Sequence, residues 1–218
     1  MPHRRLARAY EDTLFAAPSS DRLFNLYRDA VPGLDGADAP ARRRANLLAA
    51  LDALPLAPDV LVVAEAPGPW GTRFSGVPLA SEAQLAAGAF GLAGTPSSAR
   101  FEREGKPHGE SSSTIYRAAM AGREGRFWTW ATVPLHPHRP GAPLTIRAPT
   151  AAEARAWHGL LALHVEALRP RVVVAVGRHA ERALAAVGAA AVYVRHPSQG
   201  GAAAFRAGIA EVWARLDS

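Results

Sequence analysis

Residues 58–68 read Pro-Asp-Val-Leu-Val-Val-Ala-Glu-Ala-Pro-Gly. Four consecutive large apolar residues, Val60-Leu61-Val62-Val63, are bounded by Pro58 on one side and by the Pro67-Gly68 pair on the other. A run so short and so uniformly apolar has no polar face. It predicts a strand buried on both sides, as in a parallel sheet covered by helices. Glu65 follows at the carboxyl end of that strand. Ligands of open α/β sheets bind beyond the carboxyl ends of the strands, so the acidic residue and its Pro/Gly turn stand where a site is expected.

The same pattern recurs along the chain. Phe127 to Val133, Val172 to Val176 and Ala191 to Val194 are predicted strands. Helical stretches alternate with them. Residues 81–90 open with Ser81 and Gln84, and Thr150 with Glu153 opens a helix to about Leu168; both pairs have capping-box spacing. Residues 111–121, 178–187 and 201–216 complete the helices. This alternation predicts an α/β fold, a three-layer α/β/α sandwich around a central four-stranded parallel sheet. Residues 1–218 are expected to form a single domain, with residues 1–55 as a helical segment packed on it. In that segment Ser20-Asp21 is read as the cap of a helix through Leu23, Leu26 and Tyr27, ended by Pro32-Gly33. A second helix, Ala41 to Leu54, carries Leu47, Leu48 and Leu51 on one face, with Arg42, Arg43 and Arg44 on a solvated face at its start. Residues 93–113, rich in Gly, Ser, Arg and Glu, read as a long mobile loop.

Composition narrows the function. The chain has 218 residues, which at ~150 residues per domain means one domain. No cysteine is present, which excludes disulfides, thiolate zinc sites, cysteine nucleophiles and cysteine-ligated iron–sulfur clusters. No apolar run approaches the ~18 residues of a membrane span, and no apolar signal core follows the basic start. A cytoplasmic protein with no membrane partner is expected. The formal net charge is +6, and Lys106 is the only lysine among 25 basic residues. Arginine suits bidentate phosphate contacts, but a GC-rich genome produces the same bias, so the charge alone does not decide for nucleic acid.

Three segments lie at predicted strand ends: residues 64–80, 131–147 and 195–201. In the first, the Pro/Gly turn after Glu65 lets a ligand approach the backbone; its spacing is not that of a phosphate P-loop. In the third, backbone amides after Pro197 face the start of the last helix, and Ser198 can donate to a phosphate. The plainer readings are a tight turn with an exposed Glu65 and a helix-capping serine beside an incidental histidine. His136 and His138 would share one face of a strand, a possible metal pair with no evident third ligand. His158 and His164 are read as packing histidines, and Trp128, Trp157 and Trp213 as core. No nucleophile elbow or triad spacing supports an esterase.

Taken together, the segments carry a specific resemblance. "AEAPGPWGTRFSGVPLASE" (residues 64–82) and "RHPSQGG" (residues 195–201) resemble the two signature motifs of the uracil-DNA glycosylase superfamily, closest to its G-E-A-P-G members. "GPWG…SGVPL" is also similar to the single-strand-selective monofunctional branch. Trp130 to Gly141 resembles the family's W-N-A-x-P-x-H-P segment, Arg147-Ala148-Pro149-Thr150 its N-R-x-P-T, and "VGRHAERAL" its G-R-x-A-x-x-A-L. The resemblance spans roughly residues 58–216 in the expected order.

That resemblance implies the sandwich fold and a DNA repair enzyme that hydrolyses the N-glycosidic bond of a flipped uracil or other deaminated base. It would be monofunctional, metal-independent and without a cofactor, acting on single- or double-stranded DNA as a monomer. A lyase step would need an amine, and only Lys106 and the N-terminus offer one. By the resemblance His196 donates to the pyrimidine oxygen and Glu65 orients the water or stabilises the sugar cation. Ala66, Pro67, Gly68, Phe74, Leu79 and Ala131 would line the base pocket. Ser198 would grip a phosphate, with Gln199 and Gly200 in the minor groove, and Arg73, Arg139, Arg147 and Arg195, which flank the segments, would contact phosphates. The departures are specific. Ala131 and Ile146 stand where the family pattern has asparagine, Leu79 where it has a stacking aromatic, and Ala66 where several branches have Asn or Asp. An alanine cannot read the edge of uracil, so a DNA-binding relative that has lost uracil reading is the alternative.

Overall fold

A computed structural model describes residues 2–55 and 57–218 of the chain. The elements are, in order, α1 (Pro2–Ala9), which runs into a π-helical turn at Tyr10–Leu14, β1 (Leu23–Phe24), α2 (Ala39–Asp52), β2 (Val60–Ala64), α3 (Thr72–Ser75), α4 (Glu82–Ala86), α5 (Ala99–Glu104) and α6 (Ser111–Ala119). They continue with β3 (Phe127–Ala131), β4 (His136–Pro137), α7 (Ala151–Ala156), α8 (His158–Leu168), β5 (Val172–Val176), α9 (Arg178–Ala186), β6 (Val192–Val194) and α10 (Ala202–Asp217).

The expected sandwich is present. Four parallel strands pair in the order β3-β2-β5-β6. All five residues of β2 are buried, as a strand with no polar face requires. Its side chains alternate between two cores, because successive residues of a strand point to opposite faces. Leu61 and Val63 pack with Trp128, Trp130 and Val173 beneath α1, α2, α8 and α9. Val60 and Val62 pack with Val174, Val176 and Val194 beneath α6 and α10. In register, Ala64 pairs with Ala131, so the carboxyl ends of β2 and β3 are flush and Glu65 emerges beside the β3 exit.

Both capping boxes form. Ser81 N–H donates to Gln84 Oε1 at 2.9 Å. Thr150 N–H donates to Glu153 Oε2 at 2.7 Å, and Glu153 N–H donates back to Thr150 Oγ1 at 3.2 Å. The helix from Thr150 is interrupted at Trp157, giving α7 and α8.

Three expectations are corrected. Leu23–Phe24 is not helical but a short strand antiparallel to β4. Ser20 Oγ accepts from Leu23 N–H, and the Asn25 amide donates to the Leu14 and Ala17 carbonyls. Such side-chain bonds to the backbone compete with helix formation. Arg43 is not on a solvated face; it is fully buried. Residues 93–113 are not a free loop. They contain α5, and the buried Glu82 carboxylate accepts from Ser97 N–H, Ser98 N–H, Ser98 Oγ–H and His108 N–H. A carboxylate taken out of water needs such donors, and here it gathers them from the segment it anchors.

Candidate active site

A groove of about 630 Å³ runs across the carboxyl end of the sheet. All three segments singled out in the sequence contribute to it: Glu65, Ala66 and Gly68 after β2, Ile146 and Arg147 before α7, and Arg195, His196, Ser198 and Gln199 after β6. Ala66 and Leu79 also belong to an adjoining small apolar pocket of about 10 Å³, room for about one water molecule, whose walls include Pro67, Pro78, Trp130 and Ala131. Ala64, Pro134, Tyr27 and Thr72 also line it; the Tyr27 hydroxyl donates to the Gly76 carbonyl, and the Thr72 hydroxyl accepts from Leu79 N–H.

Glu65 is anchored through its backbone. Its carbonyl accepts from Val133 N–H at 3.0 Å and from Thr132 Oγ1–H at 2.7 Å. The half-buried side chain is left to face the site, and Oε1 has no hydrogen-bond partner. Burial pushes the Glu65 carboxyl above its ordinary value, and the His179 imidazole nearby pulls it down.

His196 has a defined tautomer. Ser198 N–H, which can only donate, points at His196 Nδ1 at 3.1 Å, and Ser198 Oγ lies 2.7 Å from the same nitrogen. Nδ1 is therefore an acceptor and the ring proton sits on Nε2, which leaves one neutral N–H donor for a ligand. Burial lowers the His196 pKa and so keeps the ring neutral.

The turn after Glu65 is packed against a carboxylate that the sequence did not single out. A Cβ on Gly68 would lie 2.0 Å from Glu110 Oε1, and one on Gly71 would lie 2.2 Å from Glu110 Oε2. The glycines thus leave room for the Glu110 side chain, which lines the groove. Burial raises the Glu110 carboxyl, and the Trp70 and Gly71 N–H groups oppose that rise. At the pocket rim Leu79 has φ +50°, a left-handed conformation rare for leucine. It is held by three bonds: Leu79 N–H donates to Thr72 Oγ1, and Arg117 donates to the Leu79 and Pro78 carbonyls at 3.1 and 3.2 Å. A residue held in such a conformation costs ~1–3 kcal/mol and persists only where its surroundings over-determine it.

Several sequence expectations change here. Arg73 does not face DNA. It is fully buried and donates twice to Asp35, at 2.7 and 3.0 Å. Phe74 does not line the base pocket; it lies between the Arg73 guanidinium, 4.3 Å from its ring centre, and the His108 ring at 4.5 Å. Arg147 reaches the groove, but its guanidinium is forked onto Glu153 at 2.5 and 2.8 Å and also donates to the Arg22 carbonyl. Arg139 is exposed in a turn outside the groove lining. Arg195, Ser198, Gln199 and Gly200 are exposed, the first three along the groove. Arg178, which the sequence reading passed over, lines it too and lies over the Tyr193 ring at 4.2 Å.

The His136/His138 pair is turned to backbone. Burial pushes His136 down to about 4, and a neutral ring carries one N–H, so it donates to one of the two carbonyls facing its nitrogens, Pro67 at 2.8 Å from Nδ1 or Pro143 at 3.0 Å from Nε2. Among the described residues, no three His, Asp or Glu side chains converge on a metal position. His164 is a packing residue, as read. Its ring stacks on Trp130 at 3.9 Å, and Tyr10, bonded to its Nε2, stacks on the same Trp130 at 5.0 Å. The N-terminal segment thus backs the pocket wall through Tyr10 and lines the pocket through Tyr27, a placement that no motif announced.

A sequence profile described as the uracil DNA glycosylase superfamily matches residues 51–217. No curated protein matches the sequence. Among solved structures, the crystal structure of wild-type SMUG2 from Pedobacter heparinus superposes with a TM-score of 0.58 at 14% identity, covering 97% of each chain. At that identity the likeness concerns the fold. The profile spans most of the chain and includes every segment that builds the groove, and the chain belongs to the uracil DNA glycosylase superfamily.

Proposed function

We propose that this chain is a monofunctional, metal-independent DNA glycosylase that excises a flipped uracil or another deaminated base. The observation that carries the reading is the convergence of Glu65 and of His196, with its free Nε2–H, on one groove beside an apolar pocket. In the proposed reaction the N-glycosidic bond breaks with its electrons passing to the base, and the departing base is stabilised by the His196 N–H at its oxygen. Glu65 orients the water that bonds to the sugar carbon and accepts its proton. A preorganised donor at a developing anion is commonly the largest single contribution to such a step. No lysine lines the groove; Lys106 is exposed beside Glu104, which supports hydrolysis without a Schiff base.

A second reading has its own observation. No side-chain amide lines the apolar pocket, and its Tyr27 hydroxyl is committed to the Gly76 carbonyl. A pocket that offers shape without a base-edge reader is also what a DNA-binding relative lacking excision would show. Alkaline strand cleavage of oligonucleotides carrying uracil, hypoxanthine or xanthine separates the two. The glycosylase reading expects excision of at least one base, with His196→Ala slower by roughly 10²–10³-fold. Salt-sensitive DNA binding with no excision of any base would establish the second reading instead.

A further inference from the structure

We propose that His179 is a positioning residue for Glu65, holding its carboxylate in the charged form and aimed at the groove. The inference rests on the reading of Glu65 given above. It starts from the unpartnered Glu65 Oε1, since a buried carboxylate oxygen without a donor is costly and uncommon. Among the described residues, His179 is the one basic side chain within 4.0 Å of the Glu65 carboxylate, with Nδ1 at 3.9 Å from Oε1.

Topology places the pair. β5 lies beside β2, and the chain leaves β5 through Gly177 into α9, so the first turn of α9 stands over the end of β2. His179 occupies that turn, at a position where the resembled motif G-R-x-A has no set residue. The pair also sits where the groove meets a second cavity of about 330 Å³, since Glu65 and His179 line both. Separations slightly beyond hydrogen-bond length are usual before a ligand enters and close when it does.

Other charges face the pair without displacing His179. On the second-cavity side these are Arg155 of α7, His158 of α8 and Arg182 of α9. On the groove side they are Arg178, Arg195, His196 and the carboxylate of Glu110; Arg147 is engaged by Glu153. The arginines supply a constant positive background. An imidazole adds a charge that changes near neutrality and a directed N–H.

The test is the pH profile of single-turnover base excision by the full chain. An opposite charge at this range favours the charged carboxylate, so removing it shifts the acid limb upward. His179→Ala should therefore be about tenfold slower at a pH on the acid limb, with a smaller loss above pH 8. His179→Lys should keep the wild-type acid limb. A uniform loss at every pH, or a His179→Ala profile that superposes on wild type, overturns the proposal. The His179 side chain is 46% exposed, so these variants should fold as wild type does. A second measurement needs no activity. The Glu65 side-chain carboxyl shift, followed by NMR, should titrate at higher pH in His179→Ala than in wild type, because the imidazole pulls that carboxyl down. An unmoved midpoint overturns the pairing, whereas a wild type that excises no base overturns only the glycosylase reading.

Discussion

Replacing Asp35 by Asn tests the foundation of the turn that carries Glu65. The Asp35 carboxylate accepts from both terminal nitrogens of Arg73, from Arg43 and from Val31 N–H, and the three charged side chains are completely buried. Glu82, buried close by, balances the second guanidinium. Asn keeps the shape but removes the charge and leaves a guanidinium uncompensated in the core. Breaking one partner of a buried pair costs about 3–5 kcal/mol. In a domain of this size each kcal/mol lowers the melting temperature by roughly 2–4 °C, so a fall of about 6–20 °C is expected at pH 7. Circular dichroism melting of the variant and wild type measures it. The pH dependence adds a second check. Burial pushes the Asp35 carboxyl up, but the Arg73 hydrogen bonds and the Arg43 and Arg73 charges outweigh it and hold the carboxyl below its ordinary value. A lowered carboxyl contributes stability that is complete above its unfolded pKa of about 3.9 and lost as the pH falls through the folded value. The gap between wild type and Asp35→Asn should therefore narrow as the pH drops below about 4. A fall of less than ~2 °C at pH 7, or a gap that persists undiminished at low pH, would refute the assignment of this cluster as the anchor of the turn.

Three further outcomes follow from the site. Ala131→Asn places an amide in the pocket wall and should raise the preference for uracil by at least ~10-fold, read as relative excision of uracil and xanthine under single turnover. Gly68→Ala drives the Glu110 carboxylate from the turn and forfeits its N–H partners, a loss of about 1–3 kcal/mol in urea unfolding. On a Glu110→Ala background the Gly68→Ala change should cost little; purely additive effects would show that the two residues do not meet. Thr150→Ala opens the cap of α7 and should cost about 1 kcal/mol, seen as a melting shift of a few degrees with DNA affinity unchanged.

Much of the fold was legible because its signals are local. The apolar run at Val60 to Val63 specifies a strand buried on two faces, and Thr150 with Glu153 specifies a helix start, through side-chain geometry that repeats over two to four residues. Motif order then pointed to the strand ends, where Glu65 and His196 indeed share one groove. The failures share a different cause. Arg73 and Phe74 sit inside the motif and read as surface and pocket residues, yet both are buried, because Asp35, 38 residues from Arg73, and His108 come to meet them. Glu110 beside Gly68, His179 beside Glu65 and Tyr10 behind Trp130 were invisible for the same reason. Periodicity reports which way a side chain points from its own backbone; the charge or ring that it meets there depends on how distant segments close over it, and short-range spacing carries no record of that closure.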